Sequence, residues 1–279
     1  MSSILTNSSA MVALATLNNV NMKLNETQNR VSTGLQISSG KDNAAYFAIS
    51  ETMKGDSGMF ESINDGLTST KNSIATARLG AETVADLAQQ FTERVAFAQG
   101  SGVNLSDVQA ELDSLVSQIG LAISQSTFNG EDLVSGAAAT VTVVSGVSRT
   151  GGSFSATTLS FSSVNLGAIQ TALDAVDVVT AGATSQAALQ ATLVTAEGQL
   201  SAAIDAATSL GVSEKTVEGQ QTFLSSLTDT IDSGVSSMVD ADMEAEAARL
   251  QALQVQQQLA TQSLSMANQT PQNILSLFR

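Results

Sequence analysis

The sequence predicts a mainly α-helical fold: a long antiparallel helical rod or coiled coil with paired terminal helices and a small central β-rich insert. Three observations lead to this prediction. The 279 residues include one Pro, so few positions force a helix to stop. Apolar residues near both ends recur at alternating intervals of three and four, the spacing of a coiled-coil seam. Residues Val134 to Asn165 instead mix Gly, Ser, Thr and Val, a pattern typical of strands.

The first predicted helix has a narrow seam with two polar members. Asn21 and Gln28 occupy seam positions, and such polar residues weaken a coiled coil but fix its register. Gly34 is expected to end this helix. The seam consists of Leu14, Leu17, Asn21, Leu24, Gln28 and Val31.

Two further helices are predicted before the insert. One covers about residues 43–97 and ends at a Gly-rich turn. The next is predicted to begin at a capping box, with Ser106 at the N-cap and Gln109 at N3, and to be closed by the turn Phe128-Asn129-Gly130.

After the insert, helices resume and continue to the end of the sequence. A short helix is predicted near residues 168–179 and a long one from about Ser185. The last helix repeats the heptad spacing of the first, so we expect the two terminal seams to pack against each other. Its seam positions are Val239, Met243, Glu246, Leu250, Leu253, Gln257, Ala260, Leu264, Ala267, Pro271, Ile274 and Phe278.

These elements divide the chain into five predicted segments. Residues 1–43 form the N-terminal core helix with its connecting turn, and residues 44–133 form the N-terminal helical rod. Residues 134–184 form a variable, β-rich outer insert. Residues 185–235 form the C-terminal rod, and residues 236–279 form the C-terminal core helix.

The composition excludes several classes of protein. The chain has no His and no Cys, which leaves no thiol nucleophile, no Ser-His-Asp triad and no ordinary zinc site. It has 11 basic against 26 acidic residues, and the net charge of −15 argues against nucleic acid and against an anionic membrane as partners. We therefore expect no catalytic residue, no metal site and no cofactor.

Two segments look at first like ligand-binding loops. In Gly34–Lys41, five residues separate the two glycines and Asp42 follows the Lys, whereas a phosphate loop needs four residues and a hydroxyl. Asp240–Glu246 has Ala245 where a calcium loop requires Gly. We interpret the first segment as a turn between helices and the second as an acidic first helical turn, which the helix dipole favours.

No targeting segment is evident in the sequence. The first residues lack the basic start and apolar core of a cleaved signal peptide, and no run of about 18 apolar residues occurs. On these grounds the protein would stay in the cytoplasm, unless a specialised export system carries it.

Motifs at both ends resemble those of the bacterial flagellins. Residues 30–45, Arg-Val-Ser-Thr-Gly-Leu-Gln-Ile-Ser-Ser-Gly-Lys-Asp-Asn-Ala-Ala, are similar to the N-terminal pattern of that family. Phe128-Asn129-Gly130 followed by Leu133 is similar to its turn motif. The C-terminal segment is similar to the family's C-terminal pattern. The matching residues are Asp240-Ala241-Asp242 with Glu246 and Gln254, then Ala267-Asn268-Gln269, and the ending Pro271 to Arg279. The resemblance covers Met1 to Leu133 and Ser185 to Arg279, and the length is similar to that of compact alphaproteobacterial flagellins.

The resemblance implies a structural subunit that polymerises into the flagellar filament for swimming motility, its terminal helices ordering on assembly in the filament core. It also implies export through the flagellar type III channel without a cleaved signal, hence a secreted, extracellular protein. The implied partners are further copies of the chain, an export chaperone, the filament cap and hook-associated proteins. The residues expected at the polymerisation interface are Leu14, Leu17, Leu24, Val31, Leu250, Leu253, Leu264, Ile274 and Phe278.

Two alternatives remain open at this stage. A hook–filament junction protein shares such terminal helices, although the ending Pro271 to Arg279 favours the filament. An adhesin could use the central insert for binding and the helices as a stalk. Polymerisation without limit distinguishes the filament subunit from the first, and polymerisation without the insert distinguishes it from the second.

The negative charge is concentrated away from the chain ends. Residues 1–43 have three basic and two acidic side chains, a net charge of +1, and residues 236–279 have two basic and four acidic, a net charge of −2. The remaining −14 lies between them. Because like charge opposes the packing of many copies, we expect the nearly neutral ends to pack together and the acidic centre to stay outside.

Overall fold

The computed structural model describes residues 7–150 and 153–277; for residues 150, 153, 154 and 270–277 it describes the backbone alone. The helices are α1 (Ser8–Thr33), α2 (Ala44–Phe97), α3 (Leu105–Gln125), α4 (Leu166–Asp174), α5 (Val178–Thr184), α6 (Gln186–Val239) and α7 (Met243–Leu277). The strands are β1 (Thr127–Phe128), β2 (Glu131–Asp132), β3 (Thr140–Thr150) and β4 (Ser153–Ser162). They form two antiparallel pairs, β1 with β2 and β3 with β4.

The predicted mainly α-helical fold with a central β-rich insert is confirmed. Helices α2 and α6 each contain 54 residues without a break, as the scarcity of Pro predicts. Their first residues, Ala44 and Gln186, each lie one position from the predicted start. The chain divides into two compact units: a terminal unit of Met1–Ser57 and Asp229–Arg279, and a central unit of Gly58–Thr228.

The central unit has an apolar core between antiparallel helices. One apolar face of α2 is buried, and Phe91 on it is completely enclosed. Ion pairs join α2 to α6 at Arg78 Nε and Glu214 Oε2, 2.7 Å apart, and at Lys71 and Glu218, 3.1 Å apart. The buried residues of this α2 face are Ile74, Ala77, Ala81, Val84, Phe91 and Val95.

The start of α3 differs from the prediction. Asn104, not Ser106, is the N-cap residue: its Oδ1 accepts a hydrogen bond from the Ser106 backbone N–H at 3.2 Å. Its Nδ2 donates to the Asp107 carboxylate at 2.8 Å. An Asn side chain both accepts and donates, so it satisfies a free backbone N–H while holding an acidic residue in the first turn.

The turn Phe128-Asn129-Gly130 has a conformation that explains its sequence. Phe128 pairs with Glu131, so Asn129 and Gly130 form a two-residue hairpin loop. Both have positive φ, 51° and 82° respectively. Asn-Gly is the preferred pair for such a loop because these residues enter the left-handed region at low cost.

The residues after β4 form two helices where the sequence predicts one near 168–179. Helix α4 ends at Asp174, and Asp177 then caps α5 by accepting hydrogen bonds from the backbone N–H groups of Val179 and Thr180, both at 2.9 Å. Buried residues on α4 and α5 include Leu166, Ile169, Leu173 and Val178. Both helices contact α3, so they contribute to the core of the central unit.

Candidate assembly surface of the terminal helices

Helices α1 and α7 of the terminal unit pack against each other along their length. Near one end of the pair, the Asn7 side chain donates to the carbonyl oxygen of Ala267 at 2.7 Å. Near the other, Arg30 lies 3.4 Å from Glu246. Residue numbers rise along α1 as they fall along α7, so the helices are antiparallel, as the matching seams predict.

The helix pair has few large side chains in its interior. Val20, Leu24 and Leu253 form one buried cluster, and Ala260 is buried beside them along the same seam of α7. Every described seam position predicted on α7 from Glu246 to Ala267 is at least half-buried. Two-helix packing of this kind contributes about 1.5–3 kcal/mol for each fully buried large side chain.

The predicted interface residues fall into three groups. Leu24 and Leu253 are buried, whereas Leu17, Val31, Leu250 and Leu264 are half-buried in the same seam. Leu14 is 48% exposed. Ile274 lies in α7, where only the backbone is described, and Phe278 lies outside the described residues.

One of the two polar seam residues is where the sequence predicts it. The Gln257 side chain donates from Nε2 to Oδ1 of Asn21 at 2.8 Å, and both residues are half-buried. Such a pair fixes the register, because a slip of either helix would leave polar atoms unpaired among apolar side chains. Gln28 is exposed instead, and the neighbouring Thr27 is buried.

A charged network lies at one end of the seam, close to the segments that connect α1 to α2 and α6 to α7. The Oε1 atom of the buried Glu246 contacts Arg249 at 2.7 Å and Arg30 at 3.4 Å. Arg30 also pairs with Glu26 at 2.6 Å. The other carboxylate oxygen of Glu246, Oε2, is buried and has no hydrogen-bond partner among the described residues.

The segment between α1 and α2 is bound to the segment between α6 and α7. Gly34 ends α1 in the left-handed conformation, φ 73°, with its N–H bonded to the carbonyl oxygen of Arg30 at 2.8 Å. The N–H groups of Gln36 and Ala241 donate to the carbonyl oxygens of Val239 at 2.7 Å and Gly34 at 2.8 Å. These bonds agree with the interpretation of Gly34–Lys41 as a connecting turn.

Asp42 organises the connector between α1 and α2. Its Oδ2 accepts hydrogen bonds from the backbone N–H groups of Ser38 and Ser39, both at 3.0 Å, and from both Ser hydroxyls. The Ser38 N–H, followed by the contacts with Ser39, holds the pKa of Asp42 below its usual value, because each bond favours the ionised carboxylate. The acidic residue that makes a phosphate loop implausible is therefore a structural acceptor.

The acidic segment Asp240–Glu246 is a helix start. The side chain of Asp242 accepts from the N–H groups of Glu244 and Ala245 at 3.0 and 3.1 Å, which is N-cap geometry. Glu244 and Glu246 lie in the first turn of α7. Within residues 7–150 and 153–277, no group of three or more acidic side chains is placed to hold a metal ion.

The outer surface of the helix pair has exposed apolar side chains in addition to the buried seam. A groove of about 480 Å³ between α1 and α7 has Val12 and Leu259 on its rims, which are 67% and 56% exposed. The signal that could have found this surface is the presence of large apolar residues outside the heptad seams. Exposed examples on α1 and α7 are Met11, Val12, Met22, Val255, Leu259 and Met266.

The terminal helices and this surface define the class to which the protein belongs. A helix pair with few buried side chains and many exposed apolar ones is typical of a structural subunit whose faces are covered by association. None of the helices in the described part of the chain has the length and hydrophobicity that a bilayer-spanning segment requires.

Comparison with known proteins identifies the family. The model of the bacterial flagellin N-terminal helical region matches residues 4–139, and that of the C-terminal helical region matches residues 193–278. A flagellin of Brucella melitensis is 37% identical over the whole of both chains. Flagellin FljM of Caulobacter vibrioides is 35% identical over all of this chain and 99% of its own, and flagellin C of Rhizobium meliloti is 33% identical over the whole of both.

The chain belongs to the bacterial flagellin family. It is a structural subunit of the flagellar filament, not an enzyme, and it polymerises with further copies of itself. Its place is extracellular, in the filament. The relatives named above are all flagellins, so neither the hook-junction nor the adhesin alternative receives support from them.

Proposed function

We propose that the chain polymerises mainly through its terminal unit, with the outer surface of the α1–α7 pair as the contact between copies. The exposure of Val12 and Leu259 along the groove is the observation that carries this proposal. Large apolar side chains on both rims of one groove lose contact with water when another helix packs there. The near-neutral charge of the terminal segments leaves little repulsion to oppose that contact.

The predicted interface residues have two roles in this proposal. Leu24 and Leu253, with the half-buried Leu17, Val31, Leu250 and Leu264, hold α1 against α7 and so shape the contact surface. Leu14 is exposed and meets a neighbouring copy directly, whereas Ile274 and Phe278 lie outside the described side chains and stay predictions of the sequence. In this proposal the five predicted segments of the chain correspond to the filament core, the helical rods and the outer insert.

We further propose that the helix pair becomes stably ordered only on assembly. The cluster of Val20, Leu24 and Leu253 is small for helices of 26 and 35 residues. Fixing a residue costs about 1–2 kcal/mol of backbone entropy, and isolated helices are marginal in water. Burial of the outer surface against other copies would add the missing stabilisation.

Three partners are proposed besides the chain itself: a flagellar export chaperone, the filament cap and the hook-associated proteins. The support is the family membership together with exposed apolar residues on the terminal helices, which need cover before assembly. A chaperone that covers α7 should slow amide exchange there in a one-to-one complex. Unchanged exchange across α7 in that complex would contradict this part of the proposal.

Charge substitutions on the groove rims test the contact surface. Leu259→Asp and Val12→Asp place a carboxylate where a neighbouring helix must pack, which costs several kcal/mol per site unless the charge is neutralised. Both positions are exposed in the single chain, so the monomer should retain its helical content by circular dichroism. Sedimentation and negative-stain electron microscopy should show a loss of filaments.

A matched control separates position from charge. Thr52→Asp adds the same charge to an exposed polar position on α2 of the same unit. This variant should assemble as the unsubstituted protein does. Normal filaments from Leu259→Asp, or equal losses in all three variants, would contradict the groove as the contact.

A further inference from the structure

A second groove of the terminal unit differs from the first because its walls are basic. It has a volume of about 410 Å³ and lies between α1 and α7, with Lys23, Arg30 and Arg249 on its walls. These are three of the 11 basic residues of the chain. The buried side chain of Leu253 also forms part of its lining.

The acidic side chains at this groove do not balance its positive charge. Glu26 pairs with Arg30, and the Oε1 atom of Glu246 is shared by Arg30 and Arg249, which leaves three cations facing two anions. Lys23 makes no ion pair with any described residue. Among the described residues, Arg249 donates one of its five N–H groups, to Glu246, and its side chain is 56% exposed.

We propose that this groove binds an acidic side chain of a second copy of the chain. The inference rests on the proposed function, because it requires that copies associate through the terminal unit. A carboxylate is the group that the groove lacks: one further negative charge neutralises the excess, and the spare N–H groups of Lys23 and Arg249 can donate to it.

Charge complementarity favours a second copy as the source of that carboxylate. Each copy has 26 acidic side chains and a net charge of −15, so most surfaces of neighbouring copies repel each other. A basic groove is a position at which two such chains can approach without repulsion. Electrostatic pairing of this kind contributes register and specificity more than affinity, whereas the apolar groove supplies the buried area.

Charge reversal at Lys23 tests the proposal. Lys23→Glu should raise the critical concentration for polymerisation about tenfold at about 0.15 M salt, where charges interact over about 8 Å. At about 1 M salt the screening length falls to about 3 Å, and the difference from the unsubstituted protein should close. Lys23→Arg should behave as the unsubstituted protein does, because it keeps the positive charge.

Lys41→Glu is the matched control. Lys41 lies in the same unit, outside the groove, and is exposed, and its substitution changes the net charge by the same amount. This control should shift the critical concentration less than twofold. Equal shifts for the Lys23 and Lys41 variants would overturn the proposal while leaving the proposed function intact. Failure of the unsubstituted protein to polymerise would overturn the proposed function and this inference with it.

Zero-length cross-linking identifies the acidic partner. Filaments grown from equal amounts of ¹⁴N- and ¹⁵N-labelled subunits are treated with a carbodiimide, which joins an amine to a carboxylate in direct contact. Mass spectrometry should detect a Lys23 cross-link that contains one light and one heavy peptide. Lys23 cross-links formed exclusively within single copies would overturn the proposal.

Discussion

At the scale of single residues, Leu253 is the side chain on which the helix pair depends most directly. It is 6% exposed and belongs to the only cluster of large buried residues described between α1 and α7. Leu253→Asp removes about 1.5–3 kcal/mol of apolar burial and adds a carboxylate without a partner. We expect the pair to separate and filaments to be lost, while thermal unfolding still shows the transition of the central unit.

Gln254→Asp is the control for that substitution. Gln254 is the next residue of α7 and is exposed, so the same charge enters water there. Circular dichroism and sedimentation should match those of the unsubstituted protein. Straight, normal filaments from Leu253→Asp would show that the seam is not needed for assembly.

A second prediction at the residue scale concerns Asp42 and pH. Hydrogen bonds from Ser38 and Ser39 depress the pKa of Asp42 in the folded chain. A depressed pKa means that the carboxylate stabilises the connector above its unfolded pKa of about 3.9, and that this contribution disappears as the pH falls through the lower folded value. Amide exchange at Ser38 and Ser39 should therefore accelerate, relative to its intrinsic rate, below about pH 4.

Two substitutions of Asp42 test this origin of the pH dependence. Asp42→Ala removes the acceptor and should abolish protection of Ser38 and Ser39 at every pH. Asp42→Asn keeps a neutral acceptor, so partial protection should persist without the acid transition. If Asp42→Asn still shows an acid transition of unchanged size, that transition arises from a titratable group other than Asp42.

At the scale of elements, heptad spacing predicts α7 better than α1. The predicted seam of α7 from Glu246 to Ala267 is the face that packs on α1. On α1 the buried residues include Val20 and Thr27, one position before the predicted Asn21 and Gln28. Two heptad templates fit α1. They share every second seam position and differ by one residue at the others, and the choice between them depends on the partner helix, which a single segment does not contain.

Other elements fail to follow from the sequence for local reasons. The cap at Asn104 depends on which of two nearby polar residues, Asn104 or Ser106, reaches the free N–H groups, and geometry decides between them. The outer groove has no periodic signal, because Val12 and Leu259 contribute to it from opposite ends of the chain. Pattern analysis finds the face that one helix buries, whereas a surface shared by two helices appears only when both are placed.

The hairpin β3–β4 provides a prediction at the element scale. Its ends already meet: the Ser163 N–H donates to the carbonyl oxygen of Ala139 at 2.8 Å, and the Ser163 hydroxyl accepts from the Ala139 N–H at 2.9 Å. Deletion of residues 140–162, with an Asn-Gly loop in their place to reverse the chain, should therefore close without strain and leave the core of the central unit in place. Electron microscopy should show filaments, as expected of a filament subunit that needs no insert to assemble.

The deletion must begin after residue 134 if the central unit is to stay intact. Val134 is fully buried and its carbonyl oxygen accepts from the Leu166 N–H at 2.7 Å, so a deletion that begins at residue 134 would damage the central unit. The larger deletion of residues 134–165 is the comparison: it should lower thermal stability, whereas the deletion of residues 140–162 should not. Loss of polymerisation by the smaller deletion, with a stable monomer, would favour an assembly role for the insert.

At the scale of the whole molecule, nearly all of the negative charge lies outside the terminal segments that we propose as the contacts between copies. Of the net charge of −15, residues 44–235 hold −14. In a polymer these charges are brought close together, and their repulsion opposes assembly. In the proposed assembly the terminal segments contribute the contacts and almost none of that repulsion, so attraction and repulsion arise from different parts of the chain.

This separation predicts how salt acts on the unsubstituted protein. Raising the salt concentration from about 0.01 M to 1 M shortens the screening length from about 30 Å to about 3 Å. Repulsion between copies weakens, whereas apolar burial in the terminal unit does not, so the critical concentration should fall several-fold. Sedimentation of the polymer across a salt series measures this critical concentration.

A critical concentration that rises with salt would mean that ion pairs such as those proposed at Lys23 outweigh the repulsion of the acidic centre. Lys23→Glu should then show little of that rise, since it lacks the pair that salt screens.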